Sequence, residues 1–289
     1  MNYSAVVEEL EKMDFPLSYS WGVVRHLMSV KNSDDLRAAH KTLQPSVIEV
    51  QQKTGQSLPL FHALSNLMQY PANEIQLDSA QKRIVSNSLL SMKYSGVDLE
   101  PETKEKFNKL QLELADLSTK FSNNILDSTK KFQLKLTNPD DVKGLPDSVL
   151  GLLAQNAKTH GAADATAEDG PWLVTLDFPS YFPCMQHLQS REIREKVYRA
   201  YVTRASEAEH DNSQIIQRIL QIKLEMAKIL GYQSHAEKSL KRKMASQVDA
   251  VNNLISMLRE KSYPAAQKEL EQLQAFANAN GLEGKLALW

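Results

Sequence analysis

Seven histidines and one cysteine are the side chains of this 289-residue chain with the plainest capacity for metal or nucleophilic chemistry. A helical zinc hydrolase site needs His-Glu-x-x-His, two imidazoles one turn apart as ligands with the glutamate activating the bound water. The histidines are His26, His40, His62, His160, His187, His210 and His235; none is followed by Glu, and none has a second His four residues on. That motif is specific, so its absence from these residues is informative. Cys184 and His187 have ligand-like spacing but no evident second pair, and a small buried thiol is the better reading of Cys184. Glu207 and His210 form one Glu-x-x-His, which a di-iron bundle needs twice; a solvated helix end or loop accounts for it. His40 falls on an apolar stripe and reads as a satisfied, partly buried side chain. There is no Gly-x-Ser-x-Gly elbow for a nucleophilic serine, and the ten glycines are scattered rather than gathered into a phosphate loop. Taken residue by residue, the chain shows no complete active site: no catalytic, cofactor-binding or metal-ligating residue is assigned.

The densest run of unusual residues is 172–204, WLVTLDFPSYFPCMQHLQSREIREKVYRAYVTR. An extended segment over 172–178 meets Pro179, a turn holds Tyr181, Phe182 and Pro183, and a helix opens at Ser190. That helix carries Arg191, Arg194, Lys196, Arg199 and Arg204, which could suggest nucleic acid. Glu192 and Glu195 interleave with the cations, however, and no aromatic platform for single strands accompanies them. A salt-bridged helix face is the better reading.

The bulk properties agree with a globular protein of ordinary make-up, 42% hydrophobic and 24% charged. Lys and Arg total 34 against 35 Asp and Glu, so no global field favours nucleic acid or anionic lipid. The apolar runs fall far short of the roughly 20 residues that span a bilayer. One cysteine leaves no internal disulfide framework and fits a reducing compartment. The start of the chain, with Glu8, Glu9 and Glu11, resembles neither a signal nor a transit peptide. A soluble intracellular protein is expected.

Apolar residues recur mostly at three- and four-residue spacing, the helical period. A first helix is expected to stop at Asp14-Phe15-Pro16, with a second through Trp21, Val24, Leu27 and Met28. Asn32-Ser33 caps a third along Leu36, His40, Leu43, Val47 and Val50, kinked or divided at Pro45. A fourth spans 59–70 and is closed by Pro71. Asp78 with Gln81 resembles a capping box and starts a helix that Gly96 stops. The longest helix comes next, over about 101–130, with Phe107, Leu114 and Phe121 seven apart and Leu110, Leu117 and Ile125 between them, a seam suited to lying along a neighbour. Phe132, Leu134 and Leu136 then alternate as a strand, the natural antiparallel partner of 172–178. A helix over 146–158 and a loop of small and polar residues at 159–170, expected to be exposed and mobile, separate the two. Ser234 with Glu237 and, more weakly, Ser246 with Asp249 read as capping boxes. A helix ending at Tyr263 and another beginning at Pro264 complete the chain, and no fixed-period repeat is present.

Four ordered segments carry a family resemblance: HLMSVKNSDDLRAAH from His26, SGVDLEPETKEKFNKLQLELADLSTKFSNNILD from Ser95, WLVTLDFPSYFPCMQHLQSREIREKVYRAYVTRAS from Trp172, and HDNSQIIQRILQIKLEMAKILGYQSHAEKSLKRKMA from His210. The chain resembles the N-terminal half of the thimet oligopeptidase and oligopeptidase A family of zinc metallopeptidases, with oligopeptidase A the closer branch. The resemblance implies a mainly α fold: a multi-helix lobe of a zincin-type oligopeptidase with a small antiparallel β insert at about 131–137 and 172–178. It implies a single partial N-terminal lobe over 1–289, with the catalytic lobe absent, beside a channel that admits short peptides. Zinc is implied for the full-length family and none is expected in this chain, because no position here matches the ligand motif. The implied partners are short peptides and the missing catalytic half, with no nucleic acid and no membrane. The implied location is the cytoplasm, or an organelle if a transit peptide lies upstream of Met1. The alternative is a non-catalytic helical module that binds peptides or a protein.

Overall fold

The computed structural model describes residues 2–69, 77–245 and 247–289. The expected closure of the fourth helix at Pro71 and the expected Ser246 cap lie outside the described residues. The fold is mainly α: eleven α-helices and one two-stranded sheet among the described residues. The chain divides into two compact units, the first made of Met1–Ala115 with Ile222–Lys238, the second of Asp116–Gln221 with Ser239–Trp289.

In the first unit, α1 (Glu9–Val30) succeeds a π-helical turn at Ser4–Glu8, and α2 (Asp34–Gly55), α3 (Leu58–Gln69) and α4 (Ser79–Tyr94) come after it. Leu64 of α3 and Val85 and Met92 of α4 meet Val7 of the π-helical turn, Leu77 and Val97 in one core. The caps form as expected: the Ser33 hydroxyl accepts from the Leu36 amide, and Asp78 and Gln81 exchange reciprocal hydrogen bonds of 2.8 and 3.1 Å. Gly96 ends α4 with φ +85°, where the Val97 amide returns to the Met92 carbonyl at 3.1 Å. A Cβ there would stand 2.6 Å from Leu99 Cδ1 and make that side chain shift, while the positive φ itself favours glycine at the stop. The N-terminal part of α5 (Pro101–Lys131) seats Phe107 and Leu110 in the interior. Gln52 of α2 and Gln56 at its C-terminal cap hold it through the Gln111 side chain at 2.9 Å and the Asn108 side chain at 2.6 Å.

The second unit contains the β insert. β1 (Leu134–Leu136) and β2 (Trp172–Val174) pair antiparallel, with Leu134 opposite Val174, Lys135 opposite Leu173 and Leu136 opposite Trp172. Their apolar side chains join α6 (Asp147–Thr159), α7 (Phe178–His187) and α8 (Arg191–Val202) in a core that includes Leu153, Trp172, Val174, Leu176, Cys184 and Val197. The loop 159–170 is exposed at most positions, yet Ala165 is fully buried and the Trp172 indole N–H donates to the Ala167 carbonyl at 3.0 Å.

Several expectations are corrected. The strand ends at Val174 rather than at Phe178, because the Thr175 amide donates to Ser180 Oγ at 2.9 Å, a partner outside the sheet. The expected turn at Tyr181, Phe182 and Pro183 is the middle of α7. Pro179 sits in that helix's first turn, where a missing N–H leaves no bond unmade. Pro16 does not end its helix, since α1 runs through it, and α11 (Val248–Ala279) likewise runs through Pro264; of the kink or division expected at Pro45, the division does not occur, since α2 runs through it. A proline removes one helical donor and crowds one carbonyl, at about 3 kcal/mol. The Ala-Ala-Gln-Lys-Glu-Leu run after Pro264 consists of strong helix formers that outlast that local cost.

Candidate functional site

The run 172–204 places Cys184 in the core and His187 at the exposed end of α7, so the two ligand-spaced side chains do not converge. Burial pushes the Cys184 thiol up to about 12, which makes it a packing group rather than a nucleophile. The His187 backbone takes a different part: its carbonyl lies 2.2 Å from where a Cβ on Gly144 would stand. Gly144 has φ +92°, and the adjacent Gln189 amide donates to the Lys143 carbonyl at 2.9 Å. This close approach ties the end of α7 to the chain before α6.

The cationic helix α8 is ion-paired as its sequence suggests. Lys196 meets Glu192 at 2.8 Å, and Arg199 meets Glu195 at 2.7 Å, each one turn apart. The hydrogen bond from Lys196 holds the Glu192 carboxyl below its ordinary range. The Arg199 guanidinium also lies 4.6 Å over the Trp289 ring. Tyr181 and Tyr201 stack at 3.8 Å, and Arg204 covers Tyr201 at 3.7 Å while reaching Thr129 Oγ1 at 3.2 Å. These side chains have their partners within the second unit, so this face is structural.

The remaining candidates do not assemble either. His210 lies 3.5 Å from Glu209, whose carboxylate also pairs with Lys131 at 3.0 Å. His40, expected to be satisfied, is 6% exposed and stacked on Trp21 at 4.8 Å, and among the described residues its Nδ1 has no hydrogen-bond partner. Burial first, and the Arg25 charge second, hold its pKa below the ordinary histidine value. Among the described residues no group of three or more His, Cys, Asp or Glu side chains could hold a metal ion. The donor set present therefore does not fit a catalytic zinc, which takes three protein ligands.

One concave feature escapes sequence reasoning. A cleft of about 650 Å³ opens in the second unit, between the β insert and the loop that precedes β2. Lys135 comes from β1, His160 from the end of α6, and Asp164 and Asp169 from the loop, over buried Ala157 and Leu173. These residues have no motif spacing. Only the antiparallel register that sets Lys135 opposite Leu173 gathers them.

The comparisons divide along the chain. The family model described as the Neurolysin/Thimet oligopeptidase N-terminal domain matches residues 1–104, and the model of Peptidase family M3 matches residues 184–289. The chain is 44% identical over 280 residues to the probable cytosolic oligopeptidase A of Arabidopsis thaliana, covering 97% of this chain and 40% of that protein. It is 44% identical over 276 residues to the organellar oligopeptidase A, chloroplastic/mitochondrial, of the same plant, covering 96% and 35%. Oligopeptidase A of Escherichia coli is 34% identical over 287 residues, covering 98% and 41%. The chain thus spans about two fifths of the length of the curated relatives it matches.

Proposed function

The chain belongs to the thimet oligopeptidase and oligopeptidase A family of peptidases, and on that premise we propose that it forms the N-terminal helical part of a zinc-dependent metalloendopeptidase that hydrolyses short peptides. In this reading its helices supply part of the substrate channel, and zinc with its general base is held by sequence beyond these residues. One observation carries the proposal: a 44%-identical relative matched over 97% of the chain, named an oligopeptidase A. The partners proposed are short peptides and the catalytic half, and the location is the cytoplasm or an organelle. One plant relative is named cytosolic and another organellar, and no helix of the described residues is long and apolar enough to cross a membrane.

The test compares two proteins. The 289-residue chain alone should bind no stoichiometric zinc and leave a quenched fluorescent peptide of about ten residues intact. The same chain extended through a His-Glu-x-x-His segment of an oligopeptidase A should bind one zinc and cleave that peptide in a chelator-sensitive manner. Chelator-sensitive cleavage by the short chain, or an inactive but folded and zinc-loaded extended protein, would overturn the reading.

A further inference from the structure

Helix α11 has no buried residue, and one side of it is apolar or small in a palindromic pattern. Val251, Ile255, Leu258 and Ser262 stand 13, 9, 6 and 2 residues before Pro264, and Ala277, Leu273, Leu270 and Ala266 stand 13, 9, 6 and 2 residues after it. At about 100° per residue these positions keep within about 120° of one another around the helix axis, and Pro264 lies on the opposite side. Ile255, Leu258, Leu270 and Leu273 are each 55–59% exposed. The stripe runs for about 39 Å along the helix, and large aliphatic side chains left in water over that length favour a covering partner. The mirror pattern selects which partner. An antiparallel second copy, related by a two-fold axis at the level of Pro264, sets Ile255 beside Leu273 and Leu258 beside Leu270, each pair occurring twice. The small Ser262 and Ala266 meet at the centre, where they let the two backbones approach. The charges beside the stripe agree. Antiparallel pairing sets Arg259 level with Glu269 of the second copy and Glu260 level with Lys268, whereas parallel pairing in register sets each charge level with itself.

We propose that α11 is a self-recognition surface, through which two copies of this chain pair as an antiparallel, two-fold symmetric helix pair centred on Pro264. A two-fold contact uses the same patch on both copies, so association closes at two. A helix from an unrelated protein could cover the same apolar side chains, but it would need neither the mirror spacing nor the opposed charges. The pairing does not rest on the peptidase reading.

Analytical ultracentrifugation of the 289-residue protein, joined to a cysteine test of the pairing, decides the matter. Monomer and dimer should exchange with concentration in the micromolar range, with no larger species. In the pair, Leu258 of one copy stands beside Leu270 of the other, while the two copies of Leu258 are about 18 Å apart along the helices. A disulfide needs Cα atoms within about 7 Å. Leu258→Cys protein is therefore mixed with Leu270→Cys protein under glutathione disulfide, which is reduced as the two thiols join. The mixture should link roughly fivefold more than either variant alone. Cys184 is fully buried and its thiol is pushed up to about 12, so it stays out of the exchange. Both substituted positions are exposed, so the variants should keep the wild-type circular dichroism, and the sedimentation result stands without them. A monomer at every concentration, or open-ended aggregation, overturns the proposal, as does self-linking by either variant that matches the mixed yield. The chain extended through a His-Glu-x-x-His segment should give the same mixed disulfide. Its loss there would make the added sequence the occupant of this face and overturn the pairing of two copies.

Discussion

At the residue scale the clearest consequence attaches to His40. Its place on an apolar stripe of α2 is legible in the sequence, and so is its burial. What the sequence could not show is that Nδ1 has no partner among the described residues, because its surroundings, the stacking ring of Trp21 included, come from other elements. A buried unpaired nitrogen costs about 1–3 kcal/mol, and phenylalanine at this position keeps a ring on Trp21 without that atom. His40→Phe should therefore leave stability at pH 7.5 unchanged or raise it by up to about 2 kcal/mol. The pH dependence comes from the lowered pKa. Above the unfolded-state value near 6.5 the native protein loses nothing, since the imidazole is neutral in both states. As pH falls from there through the lower native value, the unfolded chain takes up the proton first, and stability declines. Urea midpoints should drop between pH 7 and pH 5 in wild type and drop less in His40→Phe; parallel curves for the two proteins would remove His40 from the account. Cys184 was legible outright as a small buried thiol, and the structure adds only how strongly burial suppresses its ionisation.

At the element scale, local chemistry predicts where helices start better than where they stop. Ser33, Asp78 and Ser190 each cap the helix that begins after them, with the Ser190 hydroxyl accepting from the Ile193 amide at 3.4 Å. A cap is a bond within four residues, so the sequence contains all of it. Asp78→Ala should cost about 1 kcal/mol in a urea titration, with most of the loss recovered by Asp78→Ser. A loss below a few tenths would mean that packing alone holds the start of α4. Prolines mislead because their local cost is set against the rest of the helix. Pro16, Pro45 and Pro264 lie inside continuous helices of 22, 22 and 32 residues. The strand at 172–178 misleads for a related reason. Its apolar run is real, but Thr175 finds Ser180 instead of a cross-strand partner, and the chain turns helical directly after Asp177.

For the whole molecule, the outstanding feature is apolar surface without a partner. Helix α11 has no buried residue along its length, and Leu254, Ile255, Leu258, Leu270, Leu273 and Phe276 are all more than half exposed. Large apolar side chains exposed along one helix favour association. The isolated protein should bind a hydrophobic dye strongly and self-associate with rising concentration. The pair Leu270→Glu and Leu273→Glu should reduce both, as read by fluorescence and by analytical ultracentrifugation. A monodisperse wild-type monomer that ignores the dye would show that this face needs no partner.

The sequence by itself determined the helical class, the two apolar strands and their antiparallel pairing, the inert thiol and the family, because each resides in short-range pattern or in ordered segments that match relatives. Tertiary structure alone decided which prolines interrupt nothing, which histidine nitrogen is left unpaired, and that Lys135, Asp164 and Asp169 share one cleft. Those outcomes depend on residues distant in the chain meeting in space. No spacing rule encodes a contact whose two sides are set by the packing of different elements.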